Sequence, residues 1–336
     1  MVISLVSFYL TLNCNYSCPH CFTKSGPSVN ASIDLNILKN YVDQLPPNKV
    51  EAITLVGGEP TLYPDFFEFL DYANTTRSKK GYPRTIDMIS NGSWFTSPED
   101  AYKFLKRMKT SGLDNVIVST DKYHRLFWPR GLNLEAELTA IESHDDIPAL
   151  SFHHANDVVP VGRAAYKVPK EELGPNLGCD LDEWKLTGDL KNLYIFPDGI
   201  YLCCLEAIKM GELGEDLEAI AHRIENDALL HAFADDMQKA IELVSERTGV
   251  NFEDVDEGHK CATCKHIFGD EGLVKALYDN YGTFEGFVRE TEEQLIQLRA
   301  EDEQLLRALE EGQPAALEQL PDAITFLKGV LSTEKK

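Results

Sequence analysis

The first half of the chain alternates between two kinds of segment. Short apolar runs typical of β-strands occur at Ile3–Leu12, Ala52–Val56, Thr85–Ser90, Asn115–Thr120 and Ala149–His153. Between them, longer segments predict helices near residues 33–45, 62–76, 98–110 and 133–144. Asn30 or Ser32 is expected to cap the first helix, and Ser97 precedes Pro98 at the start of the third. Because strands joined by helices run parallel, the pattern predicts an α/β fold that closes, fully or partly, into a (β/α) barrel.

Three cysteines lie on one short loop directly after the first predicted strand. Their spacing is Cys14-x3-Cys18-x2-Cys21, so the three thiolates can face a common centre. Three thiolates bind three corners of a [4Fe–4S] cluster and leave one iron open, whereas structural zinc sites and ordinary four-cysteine clusters take a fourth protein ligand. A zinc loop completed by His20 or by a distant cysteine is the alternative.

The charge balance restricts the partners of the chain. Its 336 residues contain 55 Asp and Glu against 32 Lys and Arg, a net charge of −23. Duplex DNA or RNA as a general partner is therefore not expected, and neither is an acidic membrane surface, because both require a cationic protein surface. A local basic patch can still bind a peptide or a phosphate.

Targeting signals and cysteine usage indicate the compartment. The apolar start carries no basic region and no small-residue cleavage site, and no apolar run approaches transmembrane length. The eight cysteines are clustered in a way that favours metal binding over disulfides in a cytosolic chain. We expect a cytoplasmic protein without a membrane partner.

The second half of the chain changes character after a Pro- and Gly-containing stretch at residues 166–190. A hairpin is predicted next, with strands Asn192–Phe196 and Ile200–Leu202 around a Pro-Asp-Gly turn. From residue 215 onward the pattern is helical, with interruptions around 250–271. We therefore expect three domains: a barrel at 1–168, a hairpin-plus-helices domain at 169–270 and a helical extension at 271–336.

Polar and glycine-rich segments follow the second, third and fourth predicted strands. They are Gly57-Gly58-Glu59-Pro60, Ser90-Asn91-Gly92 and Ser119-Thr120-Asp121. Paired glycines let a ligand approach the backbone closely, and a glutamate can accept a hydrogen bond from an ammonium group. Together with the cysteine loop, these segments resemble the radical SAM superfamily. That resemblance implies a partial (β/α)6 TIM-like barrel, an S-adenosylmethionine (SAM) cofactor and a [4Fe–4S] cluster whose open iron binds SAM.

The same resemblance assigns roles to individual residues. It implies that the Gly-Gly-Glu-Pro segment binds the amino group of SAM, that Ser90 and Asn91 line the SAM pocket, and that Ser119 and Asp121 reach the ribose hydroxyls or the methionine carboxylate. His20 occupies the position where relatives usually carry an aromatic residue against the adenine, and Arg163 lies in a Gly-Arg-Ala turn, from which it can clamp the carboxylate or brace a loop. Helix caps, loop packing and a structural arginine are the alternatives.

The later cysteines resemble the SPASM/twitch extension of radical SAM enzymes, in its shorter twitch form. This implies that Cys179, Cys204, Cys261 and Cys264 fully ligate an auxiliary [4Fe–4S] cluster that transfers electrons. A tetrahedral zinc site fits the same cysteine spacing. Cys203 is then left over, either as a small buried hydrophobic residue or as a catalytic hydrogen-atom donor.

These implications define the expected function. The 5′-deoxyadenosyl radical made from SAM abstracts hydrogen from a C–H bond of a peptide or of a small molecule similar to a sugar or aminocyclitol. The expected electron donor is a flavodoxin- or ferredoxin-type protein. The chain starts directly at the first barrel strand, which favours a small molecule or a peptide presented by a separate partner. A redox-neutral epimerase that uses Cys203 and a non-catalytic zinc-binding scaffold are the alternatives.

Overall fold

The computed structural model describes residues 3–46, 49–154, 158–174, 192–227, 230, 237–252 and 259–274. The chain divides into two compact units, Met1–Leu277 and Tyr278–Lys336. The second unit, and with it nearly all of the predicted helical extension, lies outside the described residues. Cys179 also lies outside them.

One sheet of eight strands organises the described part of the first unit, in the order β5-β4-β3-β2-β1-β6-β7-β8. The strands are β1 Leu5–Thr11, β2 Ala52–Gly57, β3 Thr85–Ser90, β4 Asn115–Ser119, β5 Ala149–His153, β6 Asn192–Phe196, β7 Gly199–Tyr201 and β8 Lys209–Gly211. Neighbouring strands from β5 to β6 pair parallel, and β6-β7-β8 pair antiparallel. This confirms the predicted α/β class with a mainly parallel, TIM-like sheet.

Helices connect the parallel strands, as predicted. Between the parallel strands lie α1 Leu35–Gln44, α2 Phe66–Lys80, α3 Pro98–Thr110, α4 Lys122–Arg125, α5 Leu134–Ile141 and α6 Ala164–Lys167. After β8 follow α7 Leu217–Glu225, α8 Met237–Thr248 and α9 Lys260–Gly269. The helix α9 lies inside the stretch where interruptions were expected, so that prediction was wrong over these ten residues.

The buried core explains why the central strands have apolar sequences. Val6, Phe8 and Leu10 of β1 are fully buried, and so are Ile53 and Leu55 of β2. Strands in the middle of a parallel sheet are covered on both faces, so their sequences are apolar runs and not strict alternations.

The helix starts show where local signals succeed and fail. Ser97 caps α3 by accepting a hydrogen bond from the Asp100 N–H, as predicted. The first helix is capped by Asp34 and not by Asn30 or Ser32, which corrects that prediction. The Ser32 hydroxyl instead donates to Thr11 Oγ1 at 2.8 Å, so it ties the segment before the helix to the end of β1.

The hairpin β6–β7 was predicted, but its place in the sheet was not. Strand β6 pairs parallel with β1, with Val6 opposite Leu193 and Phe8 opposite Ile195. The hairpin therefore continues the same sheet as the strands that carry the first cysteine loop. Within the described residues, no helix is long and apolar enough to cross a membrane. The cytoplasmic location stays a prediction.

Candidate active site

The first cysteine loop leaves β1 at the carboxyl edge of the sheet. Cys14 and Cys18 are buried, and the Cys21 N–H donates to the Cys18 carbonyl at 3.2 Å, which closes a tight turn. Cys14 Sγ accepts two hydrogen bonds, from Tyr16 N–H at 3.4 Å and from Asn91 Nδ2 at 3.5 Å. Burial raises the pKa of the Cys14 thiol to about 11, although the Tyr16 N–H opposes this. A bound cation is needed to hold such buried sulfurs as thiolates at neutral pH.

The glycine segment after β2 lies directly against this loop. A Cβ added to Gly58 would be 2.2 Å from the Asn13 carbonyl oxygen and 2.9 Å from Cys14 Cβ. The Glu59 N–H donates to the same carbonyl of Asn13 at 2.9 Å. Only glycine permits this approach at residue 58, so the segment and the cysteine loop are fixed to each other.

Glu59 is fully buried, and its carboxylate is held by the chain itself. It accepts from Thr61 Oγ1 at 2.7 Å, from Ser90 Oγ at 2.9 Å and from the Asn91 N–H at 2.8 Å. Burial raises the pKa of Glu59, and these donors oppose the rise. The carboxylate therefore links the end of β2 to the end of β3, and Pro60 begins a short 3₁₀ turn beside it. The contact between Glu59 and the ammonium of SAM stays a prediction.

The end of β3 brings Ser90 and Asn91 to the same place. Both are buried. Besides its bond to Cys14, the Asn91 side chain donates to Asn15 Oδ1 at 3.0 Å. The structure thus brings together the predicted SAM-binding segments of two strands and the predicted cluster ligands.

Asp121 lies at the end of β4, next to the buried Ser119, and caps α4. Its Oδ1 accepts from the N–H groups of Tyr123 and His124, and its Oδ2 lies 2.5 Å from His124 Nδ1 and 3.8 Å from His20 Nε2. Burial alone would raise the pKa of Asp121, but the hydrogen bond and charge of His124 lower it to about 2. The carboxylate is therefore ionised at any physiological pH.

His20 stacks on Tyr123 with ring centres 4.6 Å apart. Burial lowers the pKa of His20 to about 4, against the raising effect of Asp121, so the ring is neutral at pH 7. Its Nδ1 is buried without a hydrogen-bond partner in the described part of the chain. His20, Asp121 and His124 bring three potential ligand atoms within 4.8 Å of one another.

Arg163, which directly precedes α6, braces the cysteine loop. Its Nε donates to the Cys18 carbonyl at 2.9 Å and its Nη1 to the Ser25 carbonyl at 2.6 Å. Its own N–H donates to the Cys21 carbonyl at 3.0 Å. This geometry favours the loop-bracing role over the carboxylate clamp, because the bonds run to backbone carbonyls of the loop.

The second cysteine set lies at the end of the hairpin and on α9. Cys203, Cys204 and Cys261 pack against one apolar cluster formed by Val159, Val161 and Leu205. Cys264 is buried one helical turn after Cys261. The Leu205 N–H donates to Cys203 Sγ at 3.3 Å. Three of the four predicted auxiliary ligands are therefore in the described residues, and their role as cluster ligands stays a prediction.

Phe22, which directly follows Cys21, packs against the same apolar cluster as the second cysteine set. It also packs against a second cluster that contains Tyr9 and Phe196, whose rings are stacked at 3.7 Å. The loop of the first cysteine set is thus joined to the second set by side-chain contacts.

Sequence reasoning missed two features near these sites. Glu206 follows the Cys203-Cys204 pair with φ +54°, and burial raises its pKa to about 7. Its Oε1 is buried without a hydrogen-bond partner among the described residues. Tyr9 is buried on β1 and was hidden within an apolar strand pattern. No local sequence signal marks either residue, because each depends on contacts between distant segments.

Comparison with known proteins identifies the domain. Residues 8–136 match the family model of the Radical SAM superfamily. This segment is therefore a domain of the radical SAM superfamily. The match covers Cys14, Cys18 and Cys21 and the polar ends of β2, β3 and β4, and it ends before Arg163 and the second cysteine set.

Two curated relatives are similar to parts of this chain. The chain is 29% identical over 126 residues to Putative peptide biosynthesis protein YydG of Bacillus subtilis (strain 168), which covers 36% of this chain and 37% of that protein. It is 37% identical over 68 residues to Mycofactocin maturase MftC of Mycobacterium tuberculosis (strain ATCC 25618 / H37Rv), covering 20% of this chain and 17% of that protein. The aligned part thus spans well under half of either relative.

One similar solved structure is that of BtrN in complex with AdoMet and 2-DOIA. The match covers 77% of this chain and 93% of the BtrN chain, with a TM-score of 0.48 and 14% sequence identity.

Proposed function

We propose that this chain is a radical SAM enzyme that binds a [4Fe–4S] cluster through Cys14, Cys18 and Cys21 and binds SAM at the adjoining strand ends. The observation that carries the proposal is the contact between the cysteine loop and the Gly57-Gly58 segment, where no side chain fits at residue 58. Cys14 Sγ accepts hydrogen bonds from two N–H groups. This is consistent with a cluster ligand, because hydrogen bonds to the sulfurs set the reduction potential of iron–sulfur clusters.

The residues of the chain prepare this site in three ways. Arg163 and the Asn13 carbonyl fix the loop that carries the ligands. The link from Glu59 to Asn91 fixes the ends of β2 and β3. Asp121 is an ionised acceptor beside a neutral His20. When bound, the cluster and SAM supply the electron and the 5′-deoxyadenosyl radical that abstracts hydrogen from a C–H bond. The protein supplies position and exclusion of water.

The substrate we propose is a peptide. The relative YydG is named for peptide biosynthesis, and this chain is 29% identical to it over 126 residues. A small molecule similar to a sugar or aminocyclitol is the alternative substrate. We propose a flavodoxin- or ferredoxin-type protein as the electron donor.

For the second cysteine set we propose an auxiliary [4Fe–4S] cluster held by Cys179, Cys204, Cys261 and Cys264, with a role in electron transfer. The packing of Cys204 and Cys261 against one apolar cluster supports it. Cys203 belongs to the same cluster and accepts a backbone N–H. An epimerase that uses Cys203 as hydrogen-atom donor, and a zinc scaffold without catalysis, are the competing hypotheses.

The deciding experiment combines metal analysis with product detection. After anaerobic reconstitution, we expect about eight irons per native chain and about four in a variant with Cys14, Cys18 and Cys21 all changed to Ala. With dithionite and SAM, the native chain should release 5′-deoxyadenosine and the variant should not. Zinc without iron in both proteins, and no 5′-deoxyadenosine, would establish the scaffold instead. Iron in the native chain alone would confine the enzyme to one cluster.

A further inference from the structure

Cys203 lies beside Cys204 in the turn that joins β7 to β8. In a β-strand, adjacent side chains point to opposite faces, so only one of two neighbouring cysteines could face a given site. Strand β7 ends at Tyr201, however, and the Glu206 N–H donates to the Cys203 carbonyl at 3.2 Å, which closes a turn here. The alternation of a strand therefore does not separate these two cysteines.

The two cysteines of this turn lie in the same place as the cysteines of α9. Cys203 and Cys204 both pack against the apolar cluster around Leu205, and Cys261 packs against the same cluster. Cys264 is buried one helical turn after Cys261. The described residues therefore bring four cysteines to one region of the chain.

Lys265 of α9 fastens the turn to the helix. Its Nζ donates to the Leu205 carbonyl at 2.7 Å and lies 3.5 Å from Glu206 Oε2. Lys265 directly follows Cys264 in the sequence. The turn that carries Cys203 is thus held against the helix at the position of a proposed ligand, so the two elements form one site.

The sulfur of Cys203 has the surroundings of a metal ligand. It accepts a hydrogen bond at 3.3 Å from the N–H two residues later, that of Leu205. Cys14, a proposed ligand of the first cluster, accepts at 3.4 Å from the N–H two residues later, that of Tyr16. Such donors favour the thiolate over the thiol, and the thiolate is the form that binds metal. Cys203 therefore fits an iron–sulfur ligand in the same way as Cys14.

We infer that Cys203 is an alternative fourth ligand of the proposed auxiliary [4Fe–4S] cluster, which it holds with the other three cysteines of the turn and α9 when Cys179 is not bound. The inference rests on the proposed function, which supplies the cluster. No electron is exchanged in the change of ligand. One iron–sulfur bond to Cys179 breaks and one to Cys203 forms, the Cys203 S–H releases its proton to water, and the Cys179 thiolate takes one up. A ligating Cys203 has no S–H, so in that state it is not a hydrogen-atom donor.

The test isolates the second set in a background variant in which Cys14, Cys18 and Cys21 are all changed to Ala. After anaerobic reconstitution, this variant should hold about four irons. Adding Cys179→Ala should leave about four irons bound, because Cys203 then completes the ligand set. Adding both Cys179→Ala and Cys203→Ala leaves three thiolates and an open iron, so mild oxidation should release that iron. Electron paramagnetic resonance detects the resulting three-iron cluster, and iron analysis measures the loss.

Alkylation is a second readout that needs no activity. In the iron-loaded background variant with Cys179→Ala, iodoacetamide should not modify Cys203, because a thiolate bound to iron is protected. Removal of the iron with a chelator should make Cys203 reactive. Val161→Ala removes packing from the same apolar cluster but no sulfur, so it is the control and should keep about four irons. Circular dichroism of each variant excludes misfolding as the cause.

Four outcomes would overturn the inference. Two of them are a three-iron cluster with Cys179→Ala alone and alkylation of Cys203 in that loaded variant. Loss of iron with Cys203→Ala alone would make Cys203 an obligatory ligand, and full iron content in the double variant would make neither cysteine a ligand. Absence of iron from the background variant would instead refute the auxiliary cluster itself, so a failure of the proposed function is distinct from a failure of this ligand.

Discussion

At the scale of single residues, the candidate site is held mainly by hydrogen bonds between segments that are distant in sequence. Asn91 is an example, since its side chain reaches Cys14 Sγ and Asn15 Oδ1 from the end of a different strand. The sequence motif predicted that Asn91 lies at the site. It could not predict that the amide faces a cysteine sulfur, because that depends on how two loops meet.

Asn91→Ala should lower the reduction potential of the cluster at the first cysteine loop by tens of millivolts. Hydrogen bonds to sulfur stabilise the more negative, reduced state, and this variant removes one of the two to Cys14. The measurement is a redox titration followed by electron paramagnetic resonance. Asn40→Ala, an exposed position on α1, is the control and should leave the potential unchanged. An unaltered potential in Asn91→Ala would show that the contact does not act on the cluster.

Gly58→Ala should prevent assembly at the first site. The new methyl group would lie 2.2 Å from the Asn13 carbonyl oxygen, so the cysteine loop must move. We expect the reconstituted variant to lose about four of its irons. Gly269→Ala is the matched control, because a Cβ there meets nothing within 4 Å. Full iron content in Gly58→Ala would mean that the loop tolerates displacement.

At the scale of elements, Glu59 joins β2 to β3, and its buried carboxylate gives the fold a pH dependence. Its pKa is raised by burial, so the folded chain binds a proton more tightly than the unfolded chain. Such a group makes the folded state less stable as pH rises from the ordinary range of a glutamic acid through its raised folded value.

Glu59→Gln removes this titration. The free energy of unfolding of the native chain, relative to that of the variant, should therefore fall as pH rises. As pH rises above about 4.3, the native chain should lose stability relative to the variant. Urea unfolding at a series of pH values measures the difference. Glu68→Gln, at the exposed ion pair with Lys39, is the control. A pH-independent difference for Glu59→Gln would contradict the assigned role of burial.

Elements defined by local patterns were predicted well, and pairings between distant elements were not. Strands β1 to β5 carry apolar runs, and Ser97 with Pro98 marks the start of α3. The cap of α1 was misplaced because Ser32 is used by β1 instead. The pairing of β6 with β1 joins residues about 190 positions apart, and no local signal encodes it.

At the scale of the whole molecule, the first compact unit connects both cysteine sets through one sheet and one side chain. Strand β1 leads into the first cysteine loop and pairs with β6, which leads into the hairpin of Cys203 and Cys204. Phe22 packs against apolar clusters on both sides of this connection. The two candidate metal sites therefore share packing, so we expect damage at this contact to affect both.

Phe22→Ala should lower the free energy of unfolding by about 3 kcal/mol and release iron from both cysteine sets. Phe104→Ala on α3 is the matched control, since Phe104 is also a partly buried phenylalanine but packs at the outer aromatic contacts with Phe67 and Trp94. It should cost stability without loss of iron. Iron content and urea unfolding are measured on the same preparations.

The pattern of loss distinguishes the possible couplings. Iron lost only from the first set, seen as survival of the auxiliary signal in electron paramagnetic resonance, would mean that Phe22 supports its own loop alone. Iron lost from both sets in Phe22→Ala and in Phe104→Ala would mean that assembly follows global stability. If Phe22→Ala loses iron from both sets and Phe104→Ala loses none, the shared apolar packing fixes the hairpin against the first loop. That outcome is the one expected from the continuous sheet.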